Sequence, residues 1–142
     1  MTLDELIDVL YLSLHLLHDR YSICDHGNTQ NLIDNLEPLL TKYGAHYISG
    51  HDHCMESLED SITGTQYVVT GMGDTCCYNE TNLHSIPSTI NNRWYLSQGN
   101  KGRGTLGGFS SLTADSKALT FSFYDQDGVM KYKSSDISPR TK

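Results

Sequence analysis

The chain is 142 residues long, 37% hydrophobic, and carries a formal net charge of −7. Its length suits one ordinary domain with a core of its own. The acidic balance, with no run of lysine or arginine, excludes nucleic acid as the main partner, but not an anionic substrate, because bound cations invert the local field.

Residues 2 to 18 read as a helix. Thr2 and Glu5 have the spacing of a capping box, and Leu6, Leu10, Leu14 and Leu17 recur at helical intervals. The apolar run from Val9 to Leu17 is too short to span a bilayer and follows Asp4, Glu5 and Asp8 rather than a basic segment. Neither a membrane anchor nor a secretory signal is expected there. Residues 19 to 28 form a loop. Thr29 is positioned to cap a helix over residues 30 to 42, where Leu32, Ile33, Leu36, Leu39 and Leu40 make one apolar stripe. Pro38 should kink that helix or restart it.

Residues 43 to 49 have the aromatic and β-branched character of a buried strand, ended by Gly50. A second strand is expected over Gln66–Thr70, closed by Gly71-Met72-Gly73. Residues 74 to 104 read as a long Asn/Ser/Gly-rich loop, of a kind that is functional or mobile, with Leu83, His84 and Trp94 expected to pack it. Residues 106 to 113 and 118 to 124 then read as antiparallel strands. Asp125-Gln126-Asp127-Gly128 is a hairpin turn, and residues 129 to 133 return as an edge strand guarded by lysines. Fraying is expected from Ser134 onward.

Cys24, Cys54, Cys76 and Cys77 contain no Cys-x-x-Cys pair, which argues against a zinc ribbon. Disulfides in an oxidising compartment and four reduced thiols both stay open. Asn79-Glu80-Thr81 is an N-glycosylation sequon, meaningful if the chain enters the secretory pathway.

The chemistry centres on His51-Asp52-His53, just past the first strand. In extended backbone, residues i and i+2 project to the same side. Two imidazoles set that way can grip one ion, or one each of two ions spaced about 3.5–4 Å apart as in two-metal hydrolases. Asp52 would face the other way and hold loop backbone or an imidazole N–H. Two solvated loop histidines are the alternative reading. The chain's seven histidines tilt the balance toward metal binding.

In this order, the segments resemble the C-terminal half of a purple (tartrate-resistant type) acid phosphatase, of the calcineurin-like metallophosphoesterase superfamily. Ser22-Ile23-Cys24-Asp25-His26-Gly27 is similar to the family's S-I-x-[ED]-H-G segment, and Gly50-His51-Asp52-His53 to its G-H-x-H motif. Gln66 to Gly73, Leu106-Gly107-Gly108-Phe109 and the closing hairpin follow in family order. The resemblance implies part of an αββα sandwich, an α/β fold with a mixed sheet ending in an antiparallel hairpin. It implies a phosphomonoester substrate and a binuclear centre of ferric iron plus a divalent iron, zinc or manganese ion. His51 would bind the divalent metal and His53 the iron. His26 would be the catalytic histidine that contacts phosphate or protonates the leaving alkoxide. Only through the resemblance would the 74–104 loop border the substrate, with Leu83, His84 and Trp94 touching it. The family is typically secreted or lysosomal.

The resemblance covers residues 21 to about 133. Residues 1 to 20 read as foreign to it and residues 134 to 142 as a tail. The family's D-x-G, G-D-x-x-Y and G-N-H-[DE] motifs, which carry further metal ligands, do not occur here. Its G-H-[YA]-P histidine is also unmatched, since position 17 is leucine and His18 is out of register. Three functions follow as expectations. One is a truncated phosphatase, inactive alone. Another is a non-catalytic decoy or binding module that pairs through an uncovered apolar sheet face. The third is an independent enzyme rebuilt from His15, His18, His26, His51 and His53.

Overall fold

The computed structural model describes residues 19–74, 76–77, 79–96 and 104–138. The helix expected over residues 2 to 18, with His15 and His18, lies outside them. Among the described residues two short helices come first, α1 (Gln30–Asn35) and α2 (Glu37–Tyr43). Pro38 sits in the first turn of α2, where its missing N–H costs nothing, so it restarts the helix. Thr29 takes the extended N-cap backbone without a side-chain cap bond. The break at Leu36 turns the stripe: Leu40 is buried while Leu39 is about half exposed (48%).

The first strand, β1, is only Tyr47–Ser49. Tyr43 still belongs to α2, because Gly44 adopts the left-handed conformation (φ 63°) that closes a helix. Next come β2 (Met55–Asp60) and β3 (Gln66–Thr70). A 3-10 turn at Leu83–Ser85 precedes β4 (Ile90–Leu96). The expected loop over residues 74 to 104 is thus interrupted by a seven-residue strand. The last three strands are β5 (Gly108–Ala114), β6 (Leu119–Asp125) and β7 (Met130–Lys133). The turn between β6 and β7 has Gly128 at φ 76°, and Asp125 accepts from the N–H groups of Asp127 and Val129. Residues 134 to 138 do not fray. Ser134 donates its N–H to Phe121, and Ile137 pairs with Leu119.

Four strands form a mixed sheet in the order β1-β3-β2-β4, with β1 parallel to β3 and the other pairs antiparallel. The remaining three form a separate antiparallel sheet, β5-β6-β7. Alternation along β3 serves two cores: Tyr67 and Val69 face a cluster with Leu40, Ile23 and Tyr21, while Val68 faces one with Phe121 and Phe123. Helices and loop therefore cover one face of the mixed sheet, and the second sheet covers the other. Arg20 is fully buried; its guanidinium lies 4.0 Å and 4.6 Å from the ring centroids of Tyr21 and Tyr67 and pairs with Glu37 of α2. Among the described residues nothing packs over the outer side of the three-stranded sheet. Phe109, Tyr124 and Met130 are cross-strand neighbours there, and Phe109 and Met130 are each 51% exposed.

Candidate functional site

The parallel β1–β3 pair brings the ends of both strands to one edge, where Gly50 and Gly71 lie side by side. A Cβ on Gly71 would stand 2.0 Å from the carbonyl oxygen of Asp52, so only glycine lets the His51–His53 loop fold down onto the end of β3. The loop is not extended. Asp52 N–H donates to Gly50 O (3.0 Å), Cys54 N–H donates to Asp52 O (2.7 Å), and His51 has φ 76°. Simple strand alternation therefore does not set the two imidazoles. A left-handed histidine is uncommon and tends to mark functional loops.

Asp52 is fully buried and ties this loop to the loop bearing His26. Its Oδ2 accepts from Ser22 Oγ (2.6 Å) and from the backbone N–H of His26 (3.1 Å). It thus holds loop backbone, the role its position predicts. From the opposite side, Asn82 donates its side-chain N–H to the carbonyls of Cys24 and Asp25, and Thr81 Oγ1 donates to Asp25 Oδ1 (3.1 Å). The Cys24–Cys54 disulfide joins the same two loops, and Cys76–Cys77 is the other pair. Together these contacts bring the His26 and His51 rings into a stack with centroids 4.4 Å apart. Both rings are exposed, while His53 is half-buried.

Beneath the loops lies a set of buried acids that the sequence did not single out. Asp19 accepts from Ser49 Oγ (2.6 Å) and from Asp52 N–H (3.1 Å). Glu56 accepts from Ser22 Oγ (3.0 Å) and Ile23 N–H (3.2 Å). Burial pushes Asp19 up to about 7 against the Ser49 hydrogen bond, with the neighbouring Asp52 charge adding to the rise. Burial likewise pushes Glu56 up to about 8, partly offset by the bonds from Ile23 and Ser22. These acids are kept neutral below neutrality and hold the loops from inside. Glu56 escaped notice because Met55-Glu56-Ser57-Leu58-Glu59-Asp60 has no apolar period; only the fold reveals it as a strand.

Trp94 is a packing group: it stacks on Phe123 and on Tyr132, with centroids 5.4 Å and 4.9 Å away. Leu83 packs on the helix-side core. The sulfurs of Cys24 and Cys54 and the Asp52 carboxylate lie within 4.8 Å of one another, but while the disulfide stands the sulfurs are bonded to each other. No helix among the described residues is long and apolar enough to cross a membrane.

For a binuclear centre, the donor set fits in part. Imidazoles at His51 and His53 suit either ion, but Asp19, Asp52 and Glu56 are buried and engaged in holding loops, so no bridging carboxylate comes from this group.

No family model matches the chain. It is 33% identical over 114 residues to tartrate-resistant acid phosphatase type 5 of Oryctolagus cuniculus, covering 80% of this chain and 33% of that protein. It is 28% identical over 117 residues to purple acid phosphatase 17 of Arabidopsis thaliana, covering 82% of this chain and 32% of that protein. The chain thus spans about a third of the length of the curated relatives it matches, less than the half expected from its motifs. Among solved structures it is similar to GAP50, the anchor in the inner membrane complex of Plasmodium. The TM-score is 0.68 at 21% identity, covering 87% of this chain and 35% of that one. Over that third of their length the chain is similar to purple, tartrate-resistant type acid phosphatases, and its fold is similar to part of the GAP50 chain.

Proposed function

We propose that this chain is the histidine-bearing part of a metal-dependent acid phosphatase acting on phosphomonoesters, and that it does not turn over efficiently by itself. The observation that supports the reading is the stack of His26 on His51, with ring centroids 4.4 Å apart. His51 and His53 would each hold one ion of the centre, a divalent metal and ferric iron respectively. When bound, the ions supply charge and a bound water of lowered pKa. The chain's own residues do the rest. His26 contacts the phosphate and holds a proton for the departing alkoxide, Asp52 keeps that loop in place, and Asp19 and Glu56 brace the loops from below. The supporting observations are the ordered motif match and the two loops meeting at one edge of the sheet.

The test is zinc titration of the purified chain by calorimetry, together with hydrolysis of para-nitrophenyl phosphate. Zinc binding that disappears in a His51→Asn/His53→Ala variant, with hydrolysis at background, is the expected result. A chain that binds no ion, or whose binding ignores both substitutions, would sink the reading.

A second reading is favoured by the row of Phe109, Tyr124 and Met130, of which Phe109 and Met130 are exposed: a non-catalytic module that associates through the outer face of the three-stranded sheet. Sedimentation tests it. A monomer at all concentrations, unchanged by Phe109→Ser/Met130→Ser, would rule it out.

A further inference from the structure

Each histidine segment contains one cysteine: Cys24 stands two residues before His26, and Cys54 follows His53 directly. In the fold these two are bonded to each other, with Cα atoms 6.7 Å apart, and both are buried. The bond therefore joins the same two loops whose rings stack at 4.4 Å. We propose that the Cys24–Cys54 disulfide is a positioning element of the histidine site, so that reducing it uncouples His26 from His51 while both sheets stay folded. The link to phosphate chemistry rests on the function proposed above; the positioning itself does not.

The argument is mechanical. Residues 22 to 28 form neither helix nor strand, and are held by the Asp52 side chain on one side and Asn82 on the other. Those hydrogen bonds can each exchange for water when the loop opens. A covalent bond cannot, so it sets the distance between the loops even during such openings. The second core lies outside its reach: Val68, Met72, Phe121 and Phe123 pack in a cluster on the far face of the mixed sheet, away from the cluster that contains Cys24 and Cys54.

Opening the bond needs a dithiol reductant. Its thiolate attacks one cysteine sulfur to form a mixed disulfide, and its second thiol then closes the reagent's own disulfide. Two electrons and two protons end on Cys24 and Cys54 as thiols. Because both sulfurs are buried, attack waits for the loop to open, and reduction is expected to be slow.

The experiment is proton NMR on the full chain with labelled histidine, in chelator-treated buffer so that freed thiols and Asp52 hold no ion. His26→Gln assigns the rings. In the oxidised chain a cross-ring nuclear Overhauser effect between His26 and His51 is expected. In Cys24→Ala/Cys54→Ala it should weaken at least five-fold while the Val68 and Met72 methyl signals keep their positions; in the dithiol-reduced chain, where Cys76–Cys77 beside those methyls opens too, the ring effect should weaken as much. An undiminished effect in a chain whose Cys24 and Cys54 are shown by thiol labelling to be reduced would overturn the proposal. Loss of the methyl signals together with the ring effect, in both the reduced chain and the variant, would overturn it too, because the bond would then be holding the whole fold. Neither readout depends on metal or phosphate binding, so this proposal and the proposed function can fail separately.

Discussion

The backbone N–H of His26 donates to Asp52 Oδ2 across 3.1 Å, so one histidine loop hangs from the side chain at the centre of the other. The same oxygen takes the Ser22 hydroxyl at 2.6 Å. Asp52→Ala would take the acceptor from the His26 N–H and leave the Ser22 hydroxyl to Glu56 alone, at a cost of about 1–3 kcal/mol. Asp52→Asn keeps one acceptor oxygen and should lose only about half as much. Urea denaturation of the two variants checks this, and an Ala variant within about 0.5 kcal/mol of the parent would contradict it.

Two glycines on one short segment offer a contrast. A Cβ on Gly71 meets the Asp52 carbonyl oxygen at 2.0 Å, whereas one on Gly73 meets nothing within 4 Å. Gly71→Ala should destabilise by more than about 3 kcal/mol or prevent folding, and Gly73→Ala should stay within about 0.5 kcal/mol. Similar denaturation midpoints for the two would mean that the loop does not sit where the fold puts it.

Stability should fall as pH rises from about 5 to 8. Folded, Asp19 and Glu56 hold their protons up to about 7 and 8; their ordinary values are 3.8 and 4.5. Between those limits the unfolded chain binds fewer protons than the folded one, so raising the pH favours unfolding. The contribution is complete below the ordinary values and lost once the pH passes the folded ones. A lower denaturant midpoint at pH 8 than at pH 5, flattened by Glu56→Gln, is expected. Equal midpoints in the parent chain would show that these acids are ionised throughout.

The Cys24–Cys54 bond closes a segment with a sequence separation of 30. Restricting the unfolded chain over that length corresponds to about 3–4 kcal/mol. Cys24→Ala/Cys54→Ala should lose about that much by thermal or chemical denaturation. A loss under about 1 kcal/mol would mean that the reduced chain keeps these loops together when unfolded.

What could be read from the sequence depended on how local the cause was. Gln66–Thr70 and the β5–β6–β7 meander follow from β-branched and aromatic runs and an Asp-Gly turn, and they appear within a residue or two of expectation. Pro38 likewise marked the helix restart. Strand β2 did not show, because its two glutamates are tolerated through partners from other elements, while Asp60 accepts from the turn N–H groups of Ile62 and Thr63. Ser22 and Ile23 serve Glu56, and Arg93 and Gln66 serve Glu59. Strand β4 was hidden by Asn91, Asn92 and Arg93, which stay exposed on an edge. At the candidate site the histidine motifs were legible, but their meeting was not. It depends on Asp52 and a disulfide acting across 26 and 30 residues.

The seat of the His51–His53 loop is a contact between main chains, Asp52 against Gly71. Its contour thus owes little to the imidazoles it carries, and they can be exchanged without redrawing it. Position 51 still asks for a residue at ease with positive φ. Asparagine or glycine there would remove the ring cleanly, where alanine would blend lost chemistry with backbone strain.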